Sequence, residues 1–129
     1  MKTVHPPFEQ SVCFFHTADL AATRDFYETQ LGLPMVLDQG ACQIFKISVD
    51  GYVGFCTHRQ STNTDGIIIT LVTTEVETVC ARLKASGVSF EKMPSFNERF
   101  NITNAFLRDP NGYLIEIQRF EDPNWDGHR

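Results

Sequence analysis

The spacing of apolar residues along this chain alternates between strand and helix periods, and each change predicts an element boundary. SVCFFHT (11–17) is rich in β-branched and aromatic residues and reads as a strand. Its alternation places Val12, Phe14 and His16 on one face and Cys13 and Phe15 on the other. At Ala18-Asp19 the period lengthens: Asp19 suits a helix N-cap, Leu20, Phe26, Tyr27 and Leu31 form an imperfect apolar stripe, and Gly32 suits a C-cap. Strands are expected near 35–39, 42–49 and 52–57, the last two joined by the turn dipeptide Asp50-Gly51.

The second half repeats that order. GIIITLV (66–72) reads as a strand, and Thr74 with Glu77 predicts a capping box. Val76, Val79, Cys80 and Leu83 follow at helical spacing, and Gly87 closes the helix. Strands are expected near 88–92, 103–108 and 113–119, the last two separated by Asn111-Gly112. Asp50-Gly51-Tyr52-Val53 resembles Asn111-Gly112-Tyr113-Leu114, and the intervening RQSTNTDG is polar and turn-rich. The expected fold class is therefore α+β, with two βαβββ modules (about 8–58 and 67–120) and a linker at 59–66.

Two curved mixed sheets with helices outside would leave a concave cleft, the usual place for a small ligand. In the last strand Leu114, Glu116 and Gln118 share a face, leaving Tyr113, Ile115 and Ile117 for the helix side. The more polar set, with His16, is expected in the cleft. Phe14, Phe55 and Phe106 are expected to line or flank it, an aromatic wall suited to a small molecule. Arg99, in the loop SFNERFNIT, is a candidate anion clamp over the cleft.

Composition narrows the function classes. A chain of 129 residues, 42% hydrophobic and 21% charged, fits one globular domain. The formal charge of −5 argues against a nucleic-acid partner. No apolar run suits a membrane helix, and MKTVHPPFEQ lacks a signal peptide's apolar stretch, so a cytoplasmic location is expected. Cys13, Cys42, Cys56 and Cys80 are widely separated, with no CxxC pair, and each lies in or beside an apolar stretch. All four are read as reduced, apolar filler.

ADLAATRDFYETQLGL (18–33), VETVCARLKASGV (76–88) and RDPNGYLIEIQ (108–118) together resemble the glyoxalase/bleomycin-resistance/extradiol dioxygenase group, the vicinal oxygen chelate superfamily. The resemblance implies paired βαβββ modules, frequent dimers, and in many members a divalent ion held by four side chains. Those ligand positions correspond here to Val12, Phe55, Ile68 and Glu116. Three of the four are apolar and cannot coordinate, so no metal and no other cofactor is expected. A shifted site using His16, Glu116 and Gln118 is the alternative, although His16 lies about 13 Å beyond Val12 along its strand.

Glu116 then has three readings: a solvated or hydrogen-bonded remnant near the cleft mouth, a contact orienting a ligand, or a general base desolvated among Phe14, Phe55, Ile68 and Leu114. A nearby His16 imidazolium would favour its ionised form. The resulting expectation is a metal-independent binding protein for a small molecule, aromatic or antibiotic-like, assembled as a homodimer. The rivals are a lyase, isomerase or dioxygenase with an atypical metal site, a metal-free acid–base enzyme on Glu116, and a module whose cleft holds another chain.

Overall fold

The computed structural model describes residues 6–58 and 63–126. The expected linker at 59–66 therefore falls partly outside the described residues. The chain divides into two compact units, Met1–Ser61 and Thr62–Arg129.

The first unit runs β1 (Ser11–His16), α1 (Leu20–Arg24), a π-helical segment (Asp25–Gln30), β2 (Met35–Asp38), β3 (Cys42–Lys46) and β4 (Gly51–Cys56). Its sheet has the order β1-β4-β3-β2, with β1 parallel to β4 and the other pairs antiparallel. Asp19 caps α1 as expected, its carboxylate accepting from the Ala22 amide at 3.0 Å. The single expected helix widens instead at its second half, where the Leu31 amide donates to the Phe26 carbonyl five residues back at 2.9 Å. Phe26 and Tyr27 are both buried there.

The second unit runs β5 (Ile68–Val72), α2 (Val76–Ala85), β6 (Phe90–Asn97), β7 (Ile102–Arg108) and β8 (Leu114–Phe120), in the sheet order β5-β8-β7-β6. Val76, Cys80 and Leu83 of α2 are buried, as are Ile69, Ala105, Leu107, Ile115 and Ile117 of the sheet. Each unit is a four-stranded mixed sheet, so the α+β class and the repeated βαβββ-like order both hold. No helix among the described residues is long and apolar enough to cross a membrane.

Two turn expectations need correction. The capping box at α2 does not form: Glu75 is the N-cap without a side-chain bond, and Thr73 Oγ1 accepts from the Glu75 amide at 3.1 Å. Glu77 turns outward to Arg119 of β8, at 2.7 and 3.0 Å. The two hairpin glycines also differ. Gly112 has φ +94°, in a turn whose Asp109 carboxylate accepts from the Asn111 and Tyr113 amides at 2.9 and 2.8 Å. Gly51 instead begins β4, opposite Ser11, after a loop over 47–50.

Candidate functional site

Residues whose side chains leave the helix-covered side of the second sheet form a polar row. The ladders set Thr70 of β5 and Phe106 of β7 against Glu116 of β8, and Val72 and Asn104 against Gln118. Glu116 is only 9% exposed, so its carboxylate needs partners from its own sheet. Thr70 Oγ1 donates to one oxygen at 2.8 Å, and Asn104 Nδ2 donates to the other at 2.8 Å. The Gln118 amide, turned so that its donors and acceptors are matched, donates to both oxygens at 3.1 and 2.7 Å. These contacts fill most of the roughly four acceptor sites of a carboxylate.

A cation completes the row. Lys92 of β6 donates to the Asn104 backbone carbonyl at 2.8 Å and to its Oδ1 at 2.7 Å, and its ammonium lies 5.7 Å from the Phe106 ring centroid. Burial lowers the Lys92 pKa below its ordinary value, and the Glu116 charge partly offsets that. The two described bonds use two of the three ammonium donors, so the third can serve another acceptor. Thr70, Lys92 and Asn104 were not singled out from the sequence. Extending alternation to IITLV and ITNAFLR finds Thr70 and Asn104. Lys92 was not findable that way, because β6 changes register on both sides of it.

The other sequence candidates separate. Gln118 and Phe106 stand on the face with Glu116, as expected. Phe55 does not line an open face. It is fully buried on the helix side of the first sheet, 4.6 Å from Tyr27, 5.8 Å from Phe15 and 6.2 Å from Phe45 between ring centroids. Phe14 lies on the opposite face, 56% exposed, with its ring over Gly54. His16 shares that face and stands in register with Cys56. Arg99 sits at the tip of the β6–β7 hairpin, its guanidinium 5.0 Å from the Phe100 ring. The tip lies about 13 Å along β7 from Phe106, so within its module Arg99 is not beside Glu116.

The structural repeat revises the metal-ligand correspondence. The Thr17 amide donates to the Cys56 carbonyl at 3.1 Å, and the Thr73 amide donates to the Gln118 carbonyl at 2.9 Å. These matching contacts equate Cys56 with Gln118, and therefore Gly54 with Glu116 and Val12 with Ile68. Alignment through the hairpin glycines was one residue out because the two turns differ in length. Gly54, like Phe55, offers no donor atom. Val12, Gly54 and Ile68 thus provide no metal ligand, and Glu116 is already engaged by Thr70, Asn104 and Gln118. These four positions do not fit a bound divalent ion.

The reading of the cysteines as filler holds for Cys80, which is fully buried. It fails for Cys42 and Cys56, which face each other across β3 and β4 and form a disulfide with a Cα–Cα distance of 4.1 Å. Ala41 and Thr57 carry the adjacent hydrogen bond, so the two cysteines form a non-hydrogen-bonded cross-strand pair, the geometry that brings side chains closest. Cys13 is exposed.

Several solved structures share this fold. A glyoxalase/bleomycin resistance protein/dioxygenase from Nocardioides superposes with a TM-score of 0.73 at 18% identity, over 98% of this chain and 92% of that one. Lactoylglutathione lyase from Agrobacterium tumefaciens gives 0.70 at 21% identity, over 88% and 95% respectively. A glyoxalase-related enzyme from Fulvimarina pelagi gives 0.71 at 17% identity, over 89% and 88%. Comparison with curated protein sequences returns no match. The model of the Glyoxalase/Bleomycin resistance protein/Dioxygenase superfamily matches residues 11–117, and the chain belongs to that superfamily.

Proposed function

We propose that this chain is a small-molecule-binding member of the superfamily that works without a divalent ion at the usual positions. The observation that carries this reading is the engagement of both Glu116 oxygens by Thr70, Asn104 and Gln118. A carboxylate so engaged is a poor candidate for a general base, because taking a proton would displace a donor already in place. It is well suited to fixing Asn104 and, through it, Lys92. The Lys92 ammonium then presents its remaining donor beside the Phe106 ring, with Leu114 and Ile68 on the same face. An aromatic or antibiotic-like ligand carrying a carbonyl or carboxylate suits that combination of apolar wall and single cation. Phe14 and His16, which share a face of the first module's sheet, are candidate ligand contacts within that module, and Arg99 at the β6–β7 tip is a separate candidate anion contact.

The exposed apolar side chains Val12, Phe14, Ile68 and Val72 support assembly as a homodimer, which sedimentation velocity tests directly. Thermal-shift screening against aromatic antibiotics and thiol conjugates tests the ligand reading, since a binder of the native state raises the melting temperature. A hit is expected to weaken in Lys92→Met and Phe106→Ala. If a hit persists unchanged in both variants, the face is wrongly assigned. The metal reading is tested on oxidised protein, with Cys42 and Cys56 joined, by titrating nickel, zinc, manganese and iron(II). Stoichiometric binding that Glu116→Ala abolishes overturns the metal-independent reading.

A further inference from the structure

The first module carries a second cluster of chemistry-bearing side chains, unrelated to the superfamily's ligand positions. Potential ligand atoms of Cys42, Cys56 and His58 all lie within 4.8 Å of one another. His58 lies two residues beyond Cys56, just past the end of β4, where its ring reaches the two cysteines. The Cys42 Sγ to His58 Nδ1 distance is 3.6 Å. Two ligands of a tetrahedral zinc ion, with Zn–S near 2.3 Å and Zn–N near 2.05 Å, are about 3.6 Å apart. The sulfur–nitrogen spacing of a zinc site is therefore already present in the disulfide form.

We propose that Cys42, Cys56 and His58 form a redox-gated zinc site, closed as the disulfide and competent when reduced. A dithiol reductant transfers two electrons and two protons to the Cys42–Cys56 bond, leaving two thiols and the reductant's own disulfide. Zn²⁺ then displaces both thiol protons to solvent and accepts the Nδ1 lone pair of neutral His58. The two sulfurs must separate to about 3.8 Å, which side-chain rotation accommodates while the β3–β4 pairing holds the backbones. Thiolate and imidazole are donors that favour zinc over magnesium or calcium. His58 is exposed, which opens the site to solvent and leaves a fourth position for water. Oxidation by hydrogen peroxide reverses the state: two thiolates yield the disulfide, the peroxide becomes two waters by taking up two protons, and Zn²⁺ leaves.

The test uses the whole chain, reduced with dithiothreitol, freed of it under nitrogen, and titrated with Zn²⁺ against a chromophoric chelator. The expected result is one zinc per reduced chain and release on peroxide oxidation. Cobalt(II) in its place should give a thiolate charge-transfer band. His58→Ala, an exposed change that leaves the sheet intact, should weaken zinc by more than the roughly 10–100-fold typical of losing an outer partner. Cys42→Ser/Cys56→Ser should abolish binding, whereas Glu116→Ala should leave it unchanged. Absence of zinc from the reduced wild type, retention after oxidation, or equal affinity in His58→Ala overturns the proposal.

Discussion

Replacing Asn104 by Ala isolates the bond that ties the buried carboxylate to the lysine. Asn104 is 3% exposed and donates to Glu116 Oε2 at 2.8 Å while its Oδ1 accepts from Lys92 at 2.7 Å. Hydrogen bonds to charged groups contribute about 1.5–3 kcal/mol, against about 0.5–1.5 kcal/mol for neutral pairs. Asn104→Ala should therefore cost about 2–3 kcal/mol, because Lys92 retains its bond to the backbone carbonyl and Glu116 retains Thr70 and Gln118. In a Glu116→Gln background the same change should cost about 1 kcal/mol less, since the acceptor there is neutral. Trp125 is the only tryptophan and stacks on Phe120 at the end of β8, so its fluorescence reports on this module during urea unfolding. Coupling should appear as non-additive midpoints at constant m-value. A cost below about 0.5 kcal/mol, or equal costs in both backgrounds, refutes the account of Glu116 as an organising acceptor.

Phe55→Ala should destabilise by about 3–5 kcal/mol, measured by denaturant midpoint, because it opens a cavity between Tyr27, Phe15 and Phe45. A loss of ligand binding at unchanged stability contradicts its core placement. Hydrogen bonding from Arg119, then from the α2 backbone, lowers the Glu77 pKa from 4.5 to about 2. A depressed folded-state value means this contribution is complete above the unfolded pKa and disappears as pH falls from near 4.5 towards 2. Acid titration of Glu77→Gln should show a shallower stability loss across that window, with the difference shrinking in high salt. Burial, and then the Glu77 charge, raises the Cys80 thiol to about 11, whereas Cys13 is exposed. Iodoacetamide at pH near 8 should thus label Cys13 in the native oxidised chain and reach Cys80 only on unfolding, as mass spectrometry checks.

Much of the architecture is a local property of the chain and could be read from it. The helical spacing of Val76, Cys80 and Leu83, the cap at Asp19 and the alternation of LIEIQ each depend on a few neighbouring residues. That alternation alone placed Glu116 and Gln118 on one face with apolar residues on the other. The repeat of βαβββ order followed from the same short-range signals. Where a turn had to be judged, the reading slipped: Asp50-Gly51 and Asn111-Gly112 look alike in sequence, but only Gly112 takes a positive φ. The two turns also differ by one residue in length, so the counterpart of Glu116 is Gly54 rather than Phe55, which lies in the core.

The partners of Glu116, by contrast, lie far from it in sequence: Thr70 is 46 positions away, and Asn104 is 12. Lys92 joins them from a strand whose bulges erase alternation. The disulfide likewise depends on a register that sets residue 42 against residue 56, which no cysteine spacing encodes. Sequence periodicity determines which face a side chain takes, because that is decided by backbone geometry over two or four residues. Which side chains then meet is decided by strand pairing between distant segments, and only the tertiary structure contains it.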